Sequence, residues 1–209
     1  MATFMELYEK YQLSALGFPS FETFIIAYKS RNELLWEQYR MGTIDKATLR
    51  DKRFAFTFWD MGLDPELAPK ALADDYIYLG PRKAHLFPHA HETLKYLQQR
   101  YTLHIITNGF EEAQTVKLEA SGLRDYFREV IISEHTGYKK PDVRIFDYSM
   151  DKAGAKKAEC LMIGDGLEVD VLGAQQAGWK AIYFNPENRP HTERPDHEIR
   201  SLDELQQLL

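Results

Sequence analysis

Between residues 21 and 40, the apolar side chains Phe21, Phe24, Ile25, Tyr28, Leu35 and Tyr39 recur at the spacing of one helix face. Lys29, Arg31, Asn32 and Glu33 fall on the opposite side. The stretches Thr43 to Trp59 and Pro65 to Tyr78 repeat this pattern, with Gly62 and Gly80-Pro81 as stop signals. Phe4 to Tyr11 also reads as helix. The first part of the chain is therefore predicted to be all-helical.

The texture changes near Leu86, where helical patterns begin to alternate with short runs rich in Ile and Val. The spacing predicts helices over His89 to Arg100, Glu111 to Ser121, Val143 to Ala153, Glu168 to Ala177 and Leu202 to Leu208. It predicts strands over Leu103 to Thr107, Glu129 to Ser133, Cys160 to Gly164, Ala181 to Phe184 and His197 to Ile199. Strands alternating with helices imply an α/β fold, a doubly wound parallel sheet covered on both faces. The expected division is a helical module over residues 1–82 and an α/β module over residues 83–209. Asn185 to Asp196 is a polar loop carrying Pro186, Pro190 and Pro195.

Composition narrows the function classes. The chain has 209 residues, 44% of them hydrophobic, enough for one large or two small cores. Lys+Arg 26 against Asp+Glu 32 gives a net charge of −6, which argues against a surface for a nucleic acid polymer. No run is long enough to cross a membrane, and the N-terminus lacks the layout of a signal peptide. The single cysteine, Cys160, cannot form an internal disulfide, so a cytoplasmic location is expected, with Cys160 as a small buried hydrophobe.

Three motifs carry candidate chemistry, each at a predicted strand end or helix start. In Ile105 to Gly109, the Thr107 hydroxyl and the backbone N–H groups of the Asn108-Gly109 turn suit a phosphate's oxygens. Thr-Asn-Gly is equally good turn chemistry. In Lys139-Lys140-Pro141-Asp142, the proline biases Lys140 to extended backbone, where its ammonium can offset phosphoryl charge. Lys139 ranks below Lys140, and a solvated loop lysine is the plain alternative. In Met162 to Asp170, Asp165 and Asp170 form a hard-oxygen pair suited to Mg²⁺. Their plain readings are a helix cap and a first-turn acid favoured by the helix dipole.

With these three motifs in order at successive strand ends, most of the chain resembles the haloacid dehalogenase superfamily, whose commonest members are Mg²⁺-dependent phosphatases. The helical part resembles that family's α-helical cap, and Phe87-Pro88-His89-Ala90 resembles the return into its Rossmann-like core. The cap pattern and the Thr-Asn-Gly form are most similar to the branch that dephosphorylates pyrimidine and related nucleoside monophosphates. The resemblance implies that Thr107, with Asn108 and Gly109, grips the phosphoryl group. It further implies that Lys140 balances charge, that Asp165 binds the metal and that Asp170 assists or orients the metal site. A small phosphorylated substrate is expected, chosen by the cap and by the loop 185–196.

The resemblance also implies a first strand ending in Asp-x-Asp, supplying the nucleophile and the general acid/base. This sequence contains no such element ahead of the cap. Phe54 to Asp60 is an apolar run ending in Asp, but it lacks a second acid two residues on and is expected to end a cap helix. Asp74-Asp75 reads as a helix surface, and His89 and His91 as solvated or capping residues. A missing central strand would leave neighbouring strands with unpaired polar groups, at a cost of about 1–3 kcal/mol each, against a total stability of about 5–15 kcal/mol. Two readings stay open. The favoured one is an N-terminally shortened hydrolase whose aspartyl-phosphate-forming Asp is missing from this chain. The other is an inactive phosphate- or nucleotide-binding protein. Dehalogenation, which does not need Mg²⁺, is disfavoured by the Asp165/Asp170 pair.

Overall fold

A computed structural model describes residues 1–83 and 85–209. They fall into two compact units, Met1–Ala84 and His85–Leu209.

Every regular element among the described residues of the first unit is a helix. It contains α1 (Ala2–Lys10), α2 (Phe21–Met41), α3 (Lys46–Asp60) and α4 (Leu72–Arg82). Ser20 and Asp45 cap α2 and α3 by accepting the backbone N–H of Thr23 and Thr48, which satisfies donors that a helix start leaves free. Phe18, Phe24, Tyr28, Phe54 and Phe58 form its buried centre with Leu7, Leu13 and Leu72. The apolar run ending at Asp60 is the end of α3, and Asp60 pairs with Arg31 of α2. The expected helix over Pro65 to Tyr78 is instead a short 3₁₀ turn, Pro65–Leu67, followed by α4. Ala68 precedes Pro69 and is forced extended, which breaks the helix. Helix α4 runs four residues past the expected end at Tyr78, through Gly80 and Pro81 to Arg82, with Pro81 accommodated in its last turn.

The second unit alternates helices with parallel strands. Its order is α5 (Ala90–Gln98), β1 (His104–Thr107), α6 (Glu111–Ala120), β2 (Glu129–Ile132), α7 (Ser133–Thr136), α8 (Val143–Ala153), β3 (Leu161–Gly164), α9 (Gly173–Gln176), β4 (Lys180–Phe184), β5 (His197–Ile199) and α10 (Leu205–Leu208). Side chains alternate between two cores, as the period of two in a strand requires. Ile106, Met162, Ala181 and Tyr183 face a cluster with Ile145 and Phe146 of α8 and Ala174 of α9. Leu103, Leu161, Ile163, Ile182 and Phe184 face Leu97 of α5 and Leu205 of α10. The strands thus form one layer with helices on both faces, the doubly wound arrangement.

The layer is divided. Among the described residues, β1 pairs only with β2, and β3–β4–β5 form a separate ladder. One edge each of β1 and β3 has no strand partner among the described residues. All four residues of β1 and of β3 are only half-buried, whereas Ala181 to Phe184 of β4 are buried. In a covered parallel sheet the middle strands are normally the most enclosed. Here the strands flanking the division are the open ones.

Two smaller departures from expectation matter for the site. The helix expected over Glu168 to Ala177 is a π-helical turn, Leu167–Leu172, leading into α9. Cys160 is half-buried and precedes β3, with its thiol donating to the Lys156 carbonyl at 3.3 Å.

Candidate functional site

Two of the three sequence motifs lie at the carboxyl ends of β1 and β3, while Lys139 to Asp142 lies between α7 and α8 and not at a strand end as expected, and side-chain contacts draw them together. Thr107 ends β1, and its Oγ1 accepts the Gly109 N–H at 2.9 Å, closing a tight turn while leaving the hydroxyl proton available. Phe110 is buried behind this turn, and α6 starts at Glu111. Gly109 is needed for close approach. A Cβ there would strike the side-chain amide of Gln114 and lie 3.1 Å from Thr107 Oγ1. The first N–H of α6, that of Glu111, is accepted by Glu134 Oε2 from α7 at 2.8 Å. His135 Nε2 lies 2.9 Å from Glu111 Oε2.

Asn108 points away from this turn. Its Oδ1 accepts the Lys140 N–H at 2.8 Å, and its Nδ2 donates to the Lys140 carbonyl at 2.9 Å. This two-point clamp fixes the Lys140 backbone beside the end of β1, so Asn108 positions the lysine through its own side chain. Lys140 is only 8% exposed and leads into a cis peptide bond with Pro141. Its neighbour Lys139 is half-buried. Asp142 caps α8 through the Arg144 N–H, and the Arg144 side chain holds its carboxyl below the usual carboxylate range.

The Lys140 ammonium reaches across to Asp170, with Nζ 2.5 Å from Oδ1. Asp170 is 5% exposed, and its Oδ2 accepts the Gly166 N–H at 3.0 Å. Both oxygens are therefore engaged. The π-helical turn produces this placement: Asp170 N–H and Val171 N–H both donate to the Gly166 carbonyl, at 2.7 and 3.3 Å. Gly164 completes the fit, since a Cβ there would overlap the Asp170 side chain, with Oδ2 at 2.5 Å.

Asp165 behaves differently. It is exposed at the end of β3 and makes no hydrogen bond or ion pair among the described residues. Among those residues, no group of three or more His, Cys, Asp or Glu is arranged to hold a metal. Mg²⁺ binds proteins through one or two carboxylates, with waters and phosphate completing its shell. The open carboxylate of Asp165 fits that demand, while Asp170 is committed to Lys140.

The loop 185–196 leaves β4 next to this site. The register pairs Gly164 with Tyr183, so Asp165 lies across from Phe184 and the loop begins one residue further on. Asn185 is buried and ties the loop down: its Oδ1 accepts the Arg189 N–H at 2.9 Å, and its Nδ2 donates to the Arg189 carbonyl and to Glu198 Oε1. Glu198 Oε2 lies 3.0 Å from His191 Nε2. These contacts hold the Glu198 carboxyl below its usual range, His191 contributing most.

His89 adopts a left-handed backbone at the start of α5 and lies 3.1 Å from Glu92, which draws its imidazole above the usual range. His91 contacts the Tyr126 hydroxyl at 3.2 Å.

A parallel α/β layer with polar side chains gathered at its carboxyl ends has the layout in which open α/β folds bind ligands. The sequence model of the haloacid dehalogenase-like hydrolases matches residues 10–178, and the chain belongs to that family. It is 37% identical over 185 residues to the pyrimidine 5'-nucleotidase YjjG of Escherichia coli, covering 87% of this chain and 80% of that one. It is 34% identical over 182 residues to the pyrimidine 5'-nucleotidase PynA of Streptococcus pneumoniae, covering 85% and 76%. The solved structure of the HAD-hydrolase YfnB of Bacillus subtilis, bound to magnesium, is similar at a TM-score of 0.87 and 28% identity. That similarity covers 99% of this chain and 89% of the other. Among the described residues, no helix is long and apolar enough to cross a membrane.

Proposed function

We propose that this protein belongs to a Mg²⁺-dependent phosphomonoester hydrolase acting on a nucleoside monophosphate or another small phosphate ester in the cytoplasm. The observation that carries the reading is the Asn108 clamp, which holds Lys140 beside the Thr107 turn. In this reading, residues 1–82 are the cap and residues 83–209 the catalytic core. Similarity to two pyrimidine 5'-nucleotidases supports the substrate class.

The residues divide the work by chemistry. Thr107 donates its hydroxyl proton to a phosphoryl oxygen, and Gly109 keeps the turn close enough for backbone contact. The Lys140 ammonium has three donors and spends one on Asp170, leaving positive charge to face the phosphoryl group. Asp170 fixes that ammonium in place. Asp165 holds Mg²⁺, which when bound supplies further positive charge against the phosphoryl oxygens. The attacking carboxylate and the acid/base come from a strand lying between β1 and β3, where both ladder edges are unpaired among the described residues.

The test is phosphate release from a panel of nucleoside monophosphates, with and without Mg²⁺, by the chain extended in frame with an apolar strand ending in Asp-x-Asp, by the Asp165→Ala variant of that extended chain, and by the 209-residue chain alone. Turnover that disappears in the variant supports the hydrolase. The open edges of β1 and β3 favour a second reading for the chain alone, a phosphate- or nucleotide-binding protein without turnover. Binding in the micromolar range with no phosphate release would support it.

A further inference from the structure

We infer that Gln114 is a further ligand-contacting residue of this site, donating a side-chain N–H to the same phosphoryl oxygens as Thr107. Gln114 lies in α6, one turn beyond the Thr107-Asn108-Gly109 turn, and its backbone N–H is held by the Phe110 carbonyl at 2.9 Å. Its side chain folds back over that turn. The amide nitrogen stands where the Cβ of residue 109 would be if that residue were not glycine. Thr107 Oγ1 lies 3.1 Å from the same point, so amide and hydroxyl sit on one side of Gly109.

The amide has no hydrogen-bond partner among the described residues, and it is not enclosed: it is absent from the buried polar atoms lacking partners. A donor pair held beside a hydroxyl, with nothing in the protein to satisfy it, is suited to an acceptor arriving from solvent. Thr107 Oγ1 accepts the Gly109 N–H and makes no hydrogen bond to the Gln114 amide. The ligand class this pairing fits is a tetrahedral oxyanion, with two of its oxygens met by neutral donors of different length. The arrangement also assigns Gly109 a specific task, because any larger residue would push the Gln114 amide off the turn.

The inference rests on the phosphate reading of Thr107, and the experiment separates the two. Inorganic phosphate is titrated by calorimetry into the full chain and into Gln114→Met, Gln114→Glu and Thr107→Val, with melting temperatures measured alongside. Methionine keeps the length of the side chain and removes its donors. Phosphate affinity should fall about tenfold or more in Gln114→Met, the scale of a hydrogen bond to a charged group, and further in Gln114→Glu, with melting temperatures near wild type. In ¹⁵N spectra, the Gln114 side-chain NH₂ resonances should shift on adding phosphate, a response that a purely structural role would not give. Weakened binding in Thr107→Val with unchanged binding in Gln114→Met, or unmoved Gln114 resonances, overturns the inference while leaving the site reading intact. Absence of phosphate binding by the unmodified chain, or binding indifferent to Thr107→Val, overturns the site reading and the inference with it.

Discussion

Removing the Asp170 carboxylate should destabilise the second unit far more than its small volume suggests. Lys140 and Asp170 form an ion pair at 2.5 Å, with side-chain exposures of 10% and 7%. Asp170→Ala would strand an ammonium group with little water to solvate it. Breaking such a pair from one side costs about 3–5 kcal/mol, a large share of the roughly 5–15 kcal/mol that holds a domain of this size. Lys140→Met should cost less, because the carboxylate keeps its bond from Gly166 N–H at 3.0 Å. The double variant Lys140→Met/Asp170→Leu leaves no stranded charge, and by the same argument it should be more stable than Asp170→Ala alone. Urea unfolding followed by circular dichroism, with the denaturant slopes compared, measures all three. A loss under about 1 kcal/mol in Asp170→Ala, or a double variant no more stable than that single one, would refute the argument that an isolated buried charge sets the cost.

Gly164→Ala should cost about 1–3 kcal/mol, because its Cβ overlaps Asp170 and the π-helical turn must shift; a melting temperature equal to wild type would count against this. Asn108→Leu removes both bonds to the Lys140 backbone, and a loss of about 1–3 kcal/mol in urea unfolding is expected. Because the Glu198 carboxyl is held below its ordinary value, its contribution to stability is present above the unfolded value near about 4.3 and is lost as pH falls through the lower folded value. Hydrogen exchange at the Arg189 N–H, bonded to Asn185, should therefore be better protected at pH 6 than at acid pH, after correction for intrinsic rates. Glu198→Gln should flatten that difference.

How far the sequence could be read depends on the range of each interaction. Helix α2 and strand β1 follow from periodicity, because their apolar positions repeat within one turn or one pleat. Phe54 to Asp60 was readable as a helix end for the same reason. The break at Ala68 depended on the single residue Pro69, which a periodicity reading passes over. The π-helical turn was hidden too, since helical periodicity cannot signal one inserted residue that re-aims Asp170.

The sequence by itself determined the alternation of strands and helices, and it placed Thr107 and Asp165 at strand ends with Lys140 between them in the chain. Those are local properties of the chain, written in spacing and turn chemistry. Tertiary structure decided which of these residues touch. The Asn108 clamp joins residues 32 apart and the Lys140–Asp170 pair residues 30 apart, so neither is implied by neighbouring sequence. Tertiary structure also divided the roles of the two aspartates, burying Asp170 against a lysine and leaving Asp165 open. It laid Gln114 over Gly109 and left β1 and β3 with unpaired edges. The physical reason is that a carboxylate's role follows from its solvation and its nearest charge, and packing of distant segments sets both.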